Sequence, residues 1–297
     1  MLLLITSEPN ITSDFITLKY GNDVFRLNAN AWRDYRIAFT QDGWEISNAK
    51  TDRRIDSDTV TRAYWWKTFS AFSNDDNFVK EEIKYLLFDI YGWCRERGVV
   101  KGNSPLYHRK FGKLTILDKA KKYFATPRTL VTVGLCGADA LQRKAVVAKS
   151  LSSEATNDNK ILMTTEVDVS RLDPGYPWYL QEKIDSAWDV TVFYCDRKCF
   201  SFRRNRKELK GLDWRAEQFS NDQREAWAPI KLDAVDEDRI RALSDELNVE
   251  IGRYDFLTMG DTDRLVFLEL NASGQWMFLD PHRQYGLLEC VVSWLKA

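Results

Sequence analysis

The amino-acid sequence predicts a mixed α/β and α+β protein made of two or three packed subdomains. The chain has 297 residues, which is more than one minimal core requires. Strand and helix patterns alternate through residues 1–100, which is typical of an α/β subdomain. Residues 161–297 are mostly strand-patterned and carry few helices, which indicates α+β organisation for the rest of the chain.

Five strands and one long helix are predicted in residues 1–100. The apolar opening, residues 1–6, is short and lacks a basic segment, so it predicts a first strand and not a signal peptide. Residues 77–97 have an amphipathic helical pattern, and Gly98 is placed to end the helix. The other predicted strands are 23–28, 35–40, 44–47 and 63–67.

The middle of the chain predicts two helices and two strands. Residues 113–124 form a Lys- and Ala-rich helical pattern with Pro127 just beyond it. The other predicted elements are a strand at 129–133, a helix at 138–144, a strand at 145–149 and a polar loop at 150–160. Farther on, helices are predicted at 236–247 and about 287–295, and acids near the start of the former suit the helix dipole.

A β-hairpin is predicted near the C-terminal end. The apolar runs at 254–256 and 265–271 are separated by the turn signal Gly-Asp-Thr-Asp at 260–263. Side chains alternate between the two faces of a strand, so Glu269 and Asn271 share a face. Asp255 can join them from the neighbouring strand.

An acid and an amide have no packing role in a strand of Leu, Val and Phe. Burying an ionised carboxylate costs several kcal/mol unless a cation or a donor compensates. Three oxygen ligands on one sheet face suit Mg²⁺, which prefers carboxylates and phosphate oxygens. Asp255, Glu269 and Asn271 are therefore the predicted metal ligands, although a polar pair on a solvated edge strand is an alternative explanation of the pattern.

Composition excludes several other classes of protein. The formal net charge of −1 does not indicate a broad nucleic-acid-binding surface, and no stretch is long enough to span a membrane. Two histidines are too few for a histidine-based metal site or a serine triad, and the phosphate-loop, dinucleotide and nucleophile-elbow motifs do not occur. Five scattered cysteines form no disulfide framework, which suits a reducing cytoplasm. Trp65 and Trp66 favour a packed subdomain interface over a ligand platform.

Six segments, taken in order, resemble the ATP-grasp ligases. They are Trp65-Trp66, Lys113 before Pro127, Lys149 ending an apolar strand, the hinge-like Gln181-Glu182, Asp213-Trp214-Arg215, and Asp255 followed by Glu269-x-Asn271-x-x-Gly274-Gln275-Trp276. The chain most resembles the peptide maturases of the microviridin type, and more distantly the ribosomal-protein glutamate ligases.

The resemblance implies an ATP-grasp fold with a pre-ATP-grasp subdomain at 1–100 and two ATP-clasping subdomains at 101–180 and 181–297. ATP and Mg²⁺ are the implied cofactors. Lys149 and Arg215 are the implied catalytic residues, with Arg203 and Arg204 as weaker candidates. The implied nucleotide-binding residues are Lys113, Lys149, Gln181, Glu182, Ile184 and Asp189.

The implied activity is formation of an acyl phosphate on a side-chain carboxylate, followed by ω-ester or ω-amide crosslinking of a ribosomally made precursor peptide. A leader segment of the peptide would dock on the protein, and the relatives suggest a homodimer. One alternative is a ligase that joins an amino acid to a small molecule or a protein terminus. Another is a degenerate ATP-grasp fold that binds nucleotide or peptide without turnover.

Two positions depart from the pattern of these relatives. An arginine is common two residues after the acid that follows the hinge, but here that position is Thr191. The predicted phosphate-covering loop after Lys149 also lacks glycine, which reduces the backbone conformations available for cradling phosphates. The hydroxyls of Ser152 and Ser153 can compensate for this lack.

Overall fold

The computed structural model describes residues 1–68, 76–141, 144–152, 162–209, 211–214, 226–260 and 262–297. Within these ranges the chain forms four β-sheets flanked by α-helices. Sequence-predicted Arg215 and Ser153, and most of the predicted loop at 150–160, lie outside the described residues. Across the described part of the chain, no helix combines the length and apolarity needed to cross a bilayer.

A four-stranded parallel sheet contains the first strand of the chain. Its strands are β1 (Leu2–Thr6), β2 (Val24–Asn28), β6 (Arg62–Trp65) and β7 (Val100–Lys101), in the order β2-β1-β6-β7. Every residue of β1 is buried, as expected for a parallel strand covered on both faces. The prediction of a strand at the start of the chain is confirmed.

Helix α1 (Ile11–Tyr20) was not predicted from the sequence. Its buried residues are Thr12, Ser13 and Ile16, and two of these are hydroxyl residues, so the helix lacks an apolar stripe. Helix α2 (Asn77–Glu96) is confirmed and begins after Asp76, whose side chain accepts a hydrogen bond from a backbone amide of the first turn. A three-stranded antiparallel sheet lies between the two helices in sequence: β3 (Tyr35–Thr40), β4 (Gly43–Asn48) and β5 (Arg54–Asp56).

The central antiparallel sheet has the order β10-β9-β11-β8. Its strands are β8 (Thr129–Thr132), β9 (Val146–Lys149), β10 (Thr165–Val167) and β11 (Trp178–Glu182). Helices α3 (Tyr107–Lys110) and α4 (Lys113–Ala120) precede it in sequence. The predicted helix at 113–124 ends earlier than expected, at Ala120. Of the helix predicted at 138–144, residues 142 and 143 lie outside the described residues, and the described part forms a 3₁₀ turn at Ala138–Ala140 and no α-helix.

The largest sheet is antiparallel and has the order β14-β13-β12-β15-β16. Its strands are β12 (Trp188–Cys195), β13 (Lys198–Asn205), β14 (Ala228–Ile230), β15 (Ile251–Thr258) and β16 (Leu265–Asn271). The predicted hairpin is confirmed as β15 and β16. Helices α5 (Ala234–Leu247) and α6 (Leu287–Lys296) belong to two different hydrophobic cores, and the core of α6 contains Phe193 and Trp276. All five cysteines are free thiols.

Candidate functional site

The predicted metal ligands lie on one face of the largest sheet. Asp255 on β15 is directly opposite Glu269 on β16, and Asn271 is opposite Arg253. Residues two apart on a strand point to the same face, so these four side chains form one polar patch. Thr191 on β12 is opposite Asp255 from the other side and belongs to the same face.

Three donors hold the Asp255 carboxylate. The guanidinium of Arg253 donates from Nε to Oδ1 at 3.0 Å and from Nη2 to Oδ2 at 2.9 Å. The hydroxyl of Thr191 donates to Oδ1 at 2.7 Å. The side chain of Asp255 is only 14% exposed, so its carboxylate has lost most of its water, and these hydrogen bonds compensate for that loss.

The turn after β16 packs tightly on this patch. Arg253 also donates from Nη1 to the backbone oxygen of Gln275 at 2.9 Å. A Cβ atom at Gly274 would lie 3.0 Å from Cβ of Arg253 and 3.1 Å from the backbone oxygen of Asn271. A side chain at position 274 would therefore push against Arg253 and Asn271, which explains why a residue without Cβ stands there.

Two predicted lysines approach the patch from the central part of the chain. Lys149 is the last residue of β9 and is 9% exposed. Lys113, the first residue of α4, donates from Nζ to the backbone oxygen of Ser150 at 2.8 Å, and its Nζ lies 3.8 Å from Oε2 of Glu269. Lys113 thus connects the chain just after β9 with the strand that carries the predicted metal ligands.

One cavity joins most of the predicted site residues. Its lining includes Lys149, Gln181, Glu182, Ile184, Asp189, Asp213, Asp255 and Glu269. Lys113 and Asn271 are not part of this lining, but each is a neighbour of Glu269, through the ion pair and through the strand respectively. The cavity lies between the central sheet and the largest sheet, because its lining comes from β9 and β11 on one side and from β12, β15 and β16 on the other.

The predicted hinge is the end of β11 and the residues that follow. Gln181 is 2% exposed and donates from Nε2 to the hydroxyl oxygens of Thr129 and Tyr179, both at 3.0 Å. Glu182 forms an ion pair with Lys144. The backbone amides of Glu182 and Lys183 donate to the carbonyl oxygens of Arg128 and Ala145, so these two amides are already used within the fold.

Asp189 combines burial with incomplete hydrogen bonding. Its Oδ1 accepts a hydrogen bond from Nη1 of Arg206 at 2.6 Å, whereas its Oδ2 is buried without a hydrogen-bond partner among the described residues. Burial raises the pKa of the carboxyl from 3.8 to about 6, Arg206 opposes this rise, and the charge of Asp255 adds to it. Asp189 is part of the cavity wall, so a polar acceptor without a partner lies at the edge of the cavity.

The two weaker arginine candidates lie on opposite faces of β13. Arg204 is opposite Asp189, on the face of the polar patch, and is 2% exposed. Arg203 is on the other face, where its guanidinium lies 4.3 Å from the ring centre of Trp188. Only Arg204 can therefore act on the cavity side of the sheet.

Sequence reasoning did not select His108, Arg206 or Arg253. The Nε2 atom of His108 accepts a hydrogen bond from the backbone amide of Ala272 at 3.2 Å, directly after Asn271. Burial and the charge of Lys113 lower the pKa of His108, while Glu269 opposes them, and the lowered pKa favours the neutral imidazole. No sequence signal pointed to this contact, because the two residues are 164 positions apart.

The oxygen atoms of the patch fit Mg²⁺. Asp255 and Glu269 supply carboxylate oxygens, and Asn271 supplies an amide oxygen. No group of three Asp, Glu, His or Cys side chains forms a metal site within the described ranges. Two carboxylates and one amide leave coordination positions for phosphate oxygens and water, which is how Mg²⁺ is bound together with a nucleotide.

No protein-family model and no curated protein matches this chain. Solved structures match it over almost its whole length. One of them is a RiPP-associated ATP-grasp ligase from Chryseobacterium gregarium, in complex with ADP and a leader and core peptide. It is 21% identical to this chain, has a TM-score of 0.83, and the match covers 100% of this chain and 97% of the other. The macrocyclase MdnC from Microcystis aeruginosa, bound with the precursor peptide MdnA, is 17% identical with a TM-score of 0.80, covering 100% and 99%.

A more distant match is the D-alanine–D-alanine ligase from Bacillus anthracis, complexed with ATP. It is 13% identical, has a TM-score of 0.53 and covers 99% of this chain and 96% of the other. At such identities these likenesses establish the fold. The chain has the ATP-grasp fold, a mixed α+β architecture, as the sequence predicted.

Proposed function

We propose that this chain is an ATP-dependent ligase that crosslinks a ribosomally made precursor peptide. It would activate an Asp or Glu side chain as an acyl phosphate and join it to a Thr, Ser or Lys side chain, giving an ω-ester or ω-amide. The observation that carries this proposal is the pairing of Asp255 with Glu269 in a cavity that also contains Lys149 and the hinge after Gln181.

The nucleotide would bind in this cavity. Gln181, Glu182 and Ile184 would face the base, and Asp189 would accept a hydrogen bond from the nucleotide through its unpaired Oδ2. Lys149 and Lys113 would place positive charge at the phosphates.

Asp255, Glu269 and Asn271 would hold Mg²⁺, which supplies charge neutralisation at the phosphate oxygens. A carboxylate oxygen of the peptide attacks the γ-phosphorus, the bond to the β-phosphate oxygen breaks, and ADP leaves. A hydroxyl or amine of the same peptide then attacks the acyl carbon, loses its proton and displaces inorganic phosphate. Arg215, which adjoins Trp214 in sequence, is the proposed further cation for the transferred phosphoryl group.

The remaining expectations complete this proposal. The partner would be a precursor peptide with leader and core segments, and the solved neighbours described with such peptides support this choice. Five free cysteines support a cytoplasmic setting. We propose three subdomains, at 1–100, 101–180 and 181–297, and the separate sheets support this division. We also propose a homodimer, which light scattering at several protein concentrations tests.

A second candidate activity is ligation of a free amino acid to a small molecule or a protein terminus. The presence of Thr191, where the resemblance to the peptide maturases implies an arginine, favours this second activity, because a change beside Asp255 can alter which carboxylate substrate is accepted.

The test is the intact mass of a short peptide encoded beside this chain after incubation with the protein, ATP and Mg²⁺. Loss of one water per crosslink, with an equal amount of ADP formed, supports the proposed crosslinking. Gain of an amino-acid residue mass supports the second activity, and an unchanged mass without ADP formation supports a binding protein. Glu269→Gln and Asn271→Ala should abolish the ATP-dependent change, whereas the matched control Glu96→Gln, on an exposed side chain of α2, should leave it intact.

A further inference from the structure

We infer that Arg253 positions Asp255 for binding of the magnesium nucleotide, and that it takes the place of the arginine that the resemblance to the peptide maturases implies at the position of Thr191. This inference rests on one part of the proposed function, the binding of a magnesium nucleotide, and not on the peptide crosslinking. Arg253 is a positioning residue in this account, because it acts through the carboxylate of Asp255.

The strand register puts the two positions side by side. Thr191 is opposite Asp255, and Arg253 is two residues before Asp255 on the same strand and the same face. Thr191 and Arg253 are therefore diagonal neighbours on adjacent strands, with Cα atoms about 7–8 Å apart, a distance that an arginine side chain can span. An arginine at 253 can therefore place its guanidinium beside the same carboxylate that an arginine at 191 would approach from the opposite strand.

The contacts of the carboxylate leave room for a cation. Oδ1 accepts hydrogen bonds from Thr191 at 2.7 Å and from Nε of Arg253 at 3.0 Å, and Oδ2 accepts from Nη2 of Arg253 at 2.9 Å and, at the longer distance of 3.3 Å, from the same Nε. Each carboxylate oxygen can accept about two hydrogen bonds or ligand bonds. The single Nε–H of Arg253 is shared between the two oxygens and lies nearer to Oδ1, so Oδ2 keeps more capacity to bind a metal ion, while the guanidinium fixes the orientation of the carboxylate.

Arg253 is itself held rigidly. It is 5% exposed, it donates to the backbone oxygen of Gln275, and its guanidinium carbon lies 5.6 Å from the ring centre of Trp214 and 5.5 Å from that of Phe278. A planar guanidinium suits both the bidentate contact and the aromatic rings, whereas an ammonium does not. The close approach of Gly274 to its Cβ removes further freedom.

The size of the residue at 191 agrees with this assignment. Thr191 is fully buried, and its hydroxyl and the guanidinium of Arg253 share the same oxygen of Asp255. A second guanidinium at 191 would meet the first at close range, and two like charges in a buried site repel. The site therefore accommodates one arginine beside Asp255, and in this chain it comes from β15.

The experiment compares ADP affinity in Mg²⁺ with ADP affinity in EDTA, measured by calorimetry. Removal of a group that orients a metal ligand lowers metal affinity by about 10–100-fold, so Arg253→Ala should reduce the Mg²⁺-dependent gain in ADP affinity by that factor. The affinity in EDTA should stay unchanged. Adding Thr191→Arg to Arg253→Ala should restore at least about tenfold of the gain, whereas Arg253→Lys, which cannot bind Asp255 bidentately, should restore less.

Circular dichroism establishes that each variant is folded. If Arg253→Ala does not fold, Arg253→Gln replaces it, because glutamine keeps a hydrogen-bond donor but no charge and should show the same loss. Retention of the full Mg²⁺-dependent gain in a folded single variant overturns the inference, as does a folded double variant that regains nothing. A wild-type protein that gains affinity with Mg²⁺ but leaves every peptide unchanged would sink the proposed function and leave this inference standing; a wild type with no such gain sinks the inference.

Discussion

Asparagine at position 189 should flatten the pH dependence of folding stability in the mildly acidic range. Asp189 is 7% exposed, and its Oδ2 has no hydrogen-bond partner among the described residues. Burial is the main cause that raises its pKa from 3.8 to about 6. Asparagine has almost the same shape but does not titrate in this range, so the difference between the two proteins isolates this one group.

The sign of the effect follows from the proton uptake of the two states. In the unfolded chain Asp189 titrates near 3.8, and in the folded protein near 6. Between these values the folded state binds more protons, so stability contributed by this group is greatest at low pH and is lost as the pH rises through 6. A difference of about two pKa units corresponds to roughly 3 kcal/mol, an order-of-magnitude figure.

Urea unfolding from pH about 4 to about 7.5 measures this effect through the linear dependence of the unfolding free energy on denaturant. The wild type should lose about 3 kcal/mol more than Asp189→Asn over this range. Asp189→Asn also removes the charge pair with Arg206; because this pair strengthens as Asp189 ionises, its effect is already contained in the pKa of about 6 and in the expected pH dependence. Asp118→Asn is the matched control, because the Asp118 side chain is 78% exposed, and it should parallel the wild type.

Nucleotide binding provides a second measurement of the same proton. If ADP donates a hydrogen bond to Oδ2 of Asp189, binding favours the ionised carboxylate, and ADP affinity should fall as the pH is lowered through 6. Asp189→Asn should bind ADP more weakly at neutral pH and should lack this dependence. Parallel stability curves for the wild type and Asp189→Asn would refute the raised pKa, and parallel affinity curves would refute the contact with the nucleotide.

Two further substitutions test the geometry of the site. Gly274→Ala should destabilise the protein by about 1–3 kcal/mol, because its Cβ meets the backbone of Asn271 at 3.1 Å, and it should weaken Mg²⁺-dependent ADP binding. The control Gly92→Ala, in α2 with nothing within 4 Å of its Cβ, should instead stabilise the protein by about 0.5–1 kcal/mol. If urea unfolding gives changes of the same sign for both variants, this reasoning is contradicted. Lys113→Met should raise the ATP concentration needed for half-maximal turnover at least about tenfold, since loss of a charge-assisted contact costs about 1.5–3 kcal/mol. The control is Lys121→Met, because the side chain of Lys121, which follows α4, is exposed. Equal ATP dependence in the two variants would exclude Lys113 from phosphate binding.

The acids of the site could be predicted from the sequence because they break an apolar strand pattern. Glu269 and Asn271 stand in a strand of Leu, Val and Phe, and a period of two puts them on one face whatever the rest of the fold does. The hairpin turn then brings Asp255 beside them. This reasoning uses only local structure, which is why the register agrees with it.

Contacts between distant segments could not be predicted in this way. His108 and Ala272 are 164 residues apart, and Lys113 and Ser150 belong to different elements. Helix α1 was missed for a different reason, because two of its three buried residues are hydroxyl residues that a hydrophobic period does not detect. In the first two cases the deciding interaction is a tertiary contact that the local sequence does not indicate, whereas α1 has a local signal in Asn10, whose side chain caps its first turn.

The cations of the site illustrate why this limit matters for function. Asp189 is paired with Arg206 at 2.6 Å, Asp255 with Arg253 at 2.9 Å, and Glu269 with Lys113 at 3.8 Å. Buried carboxylates cost several kcal/mol without such partners, so acids in an apolar strand imply cations from somewhere in the chain.

The sequence indicates only one of those cations, because Arg253 lies two residues before Asp255 on the same strand and therefore on the same face. Arg206 and Lys113 come from other elements, which the local sequence does not indicate. The same cations stand beside the carboxylates that would receive a magnesium nucleotide. Because they already compensate the acids in the absence of ligand, the proposed site can keep its geometry before the phosphates arrive, and binding then needs only small shifts of charges that are already in place.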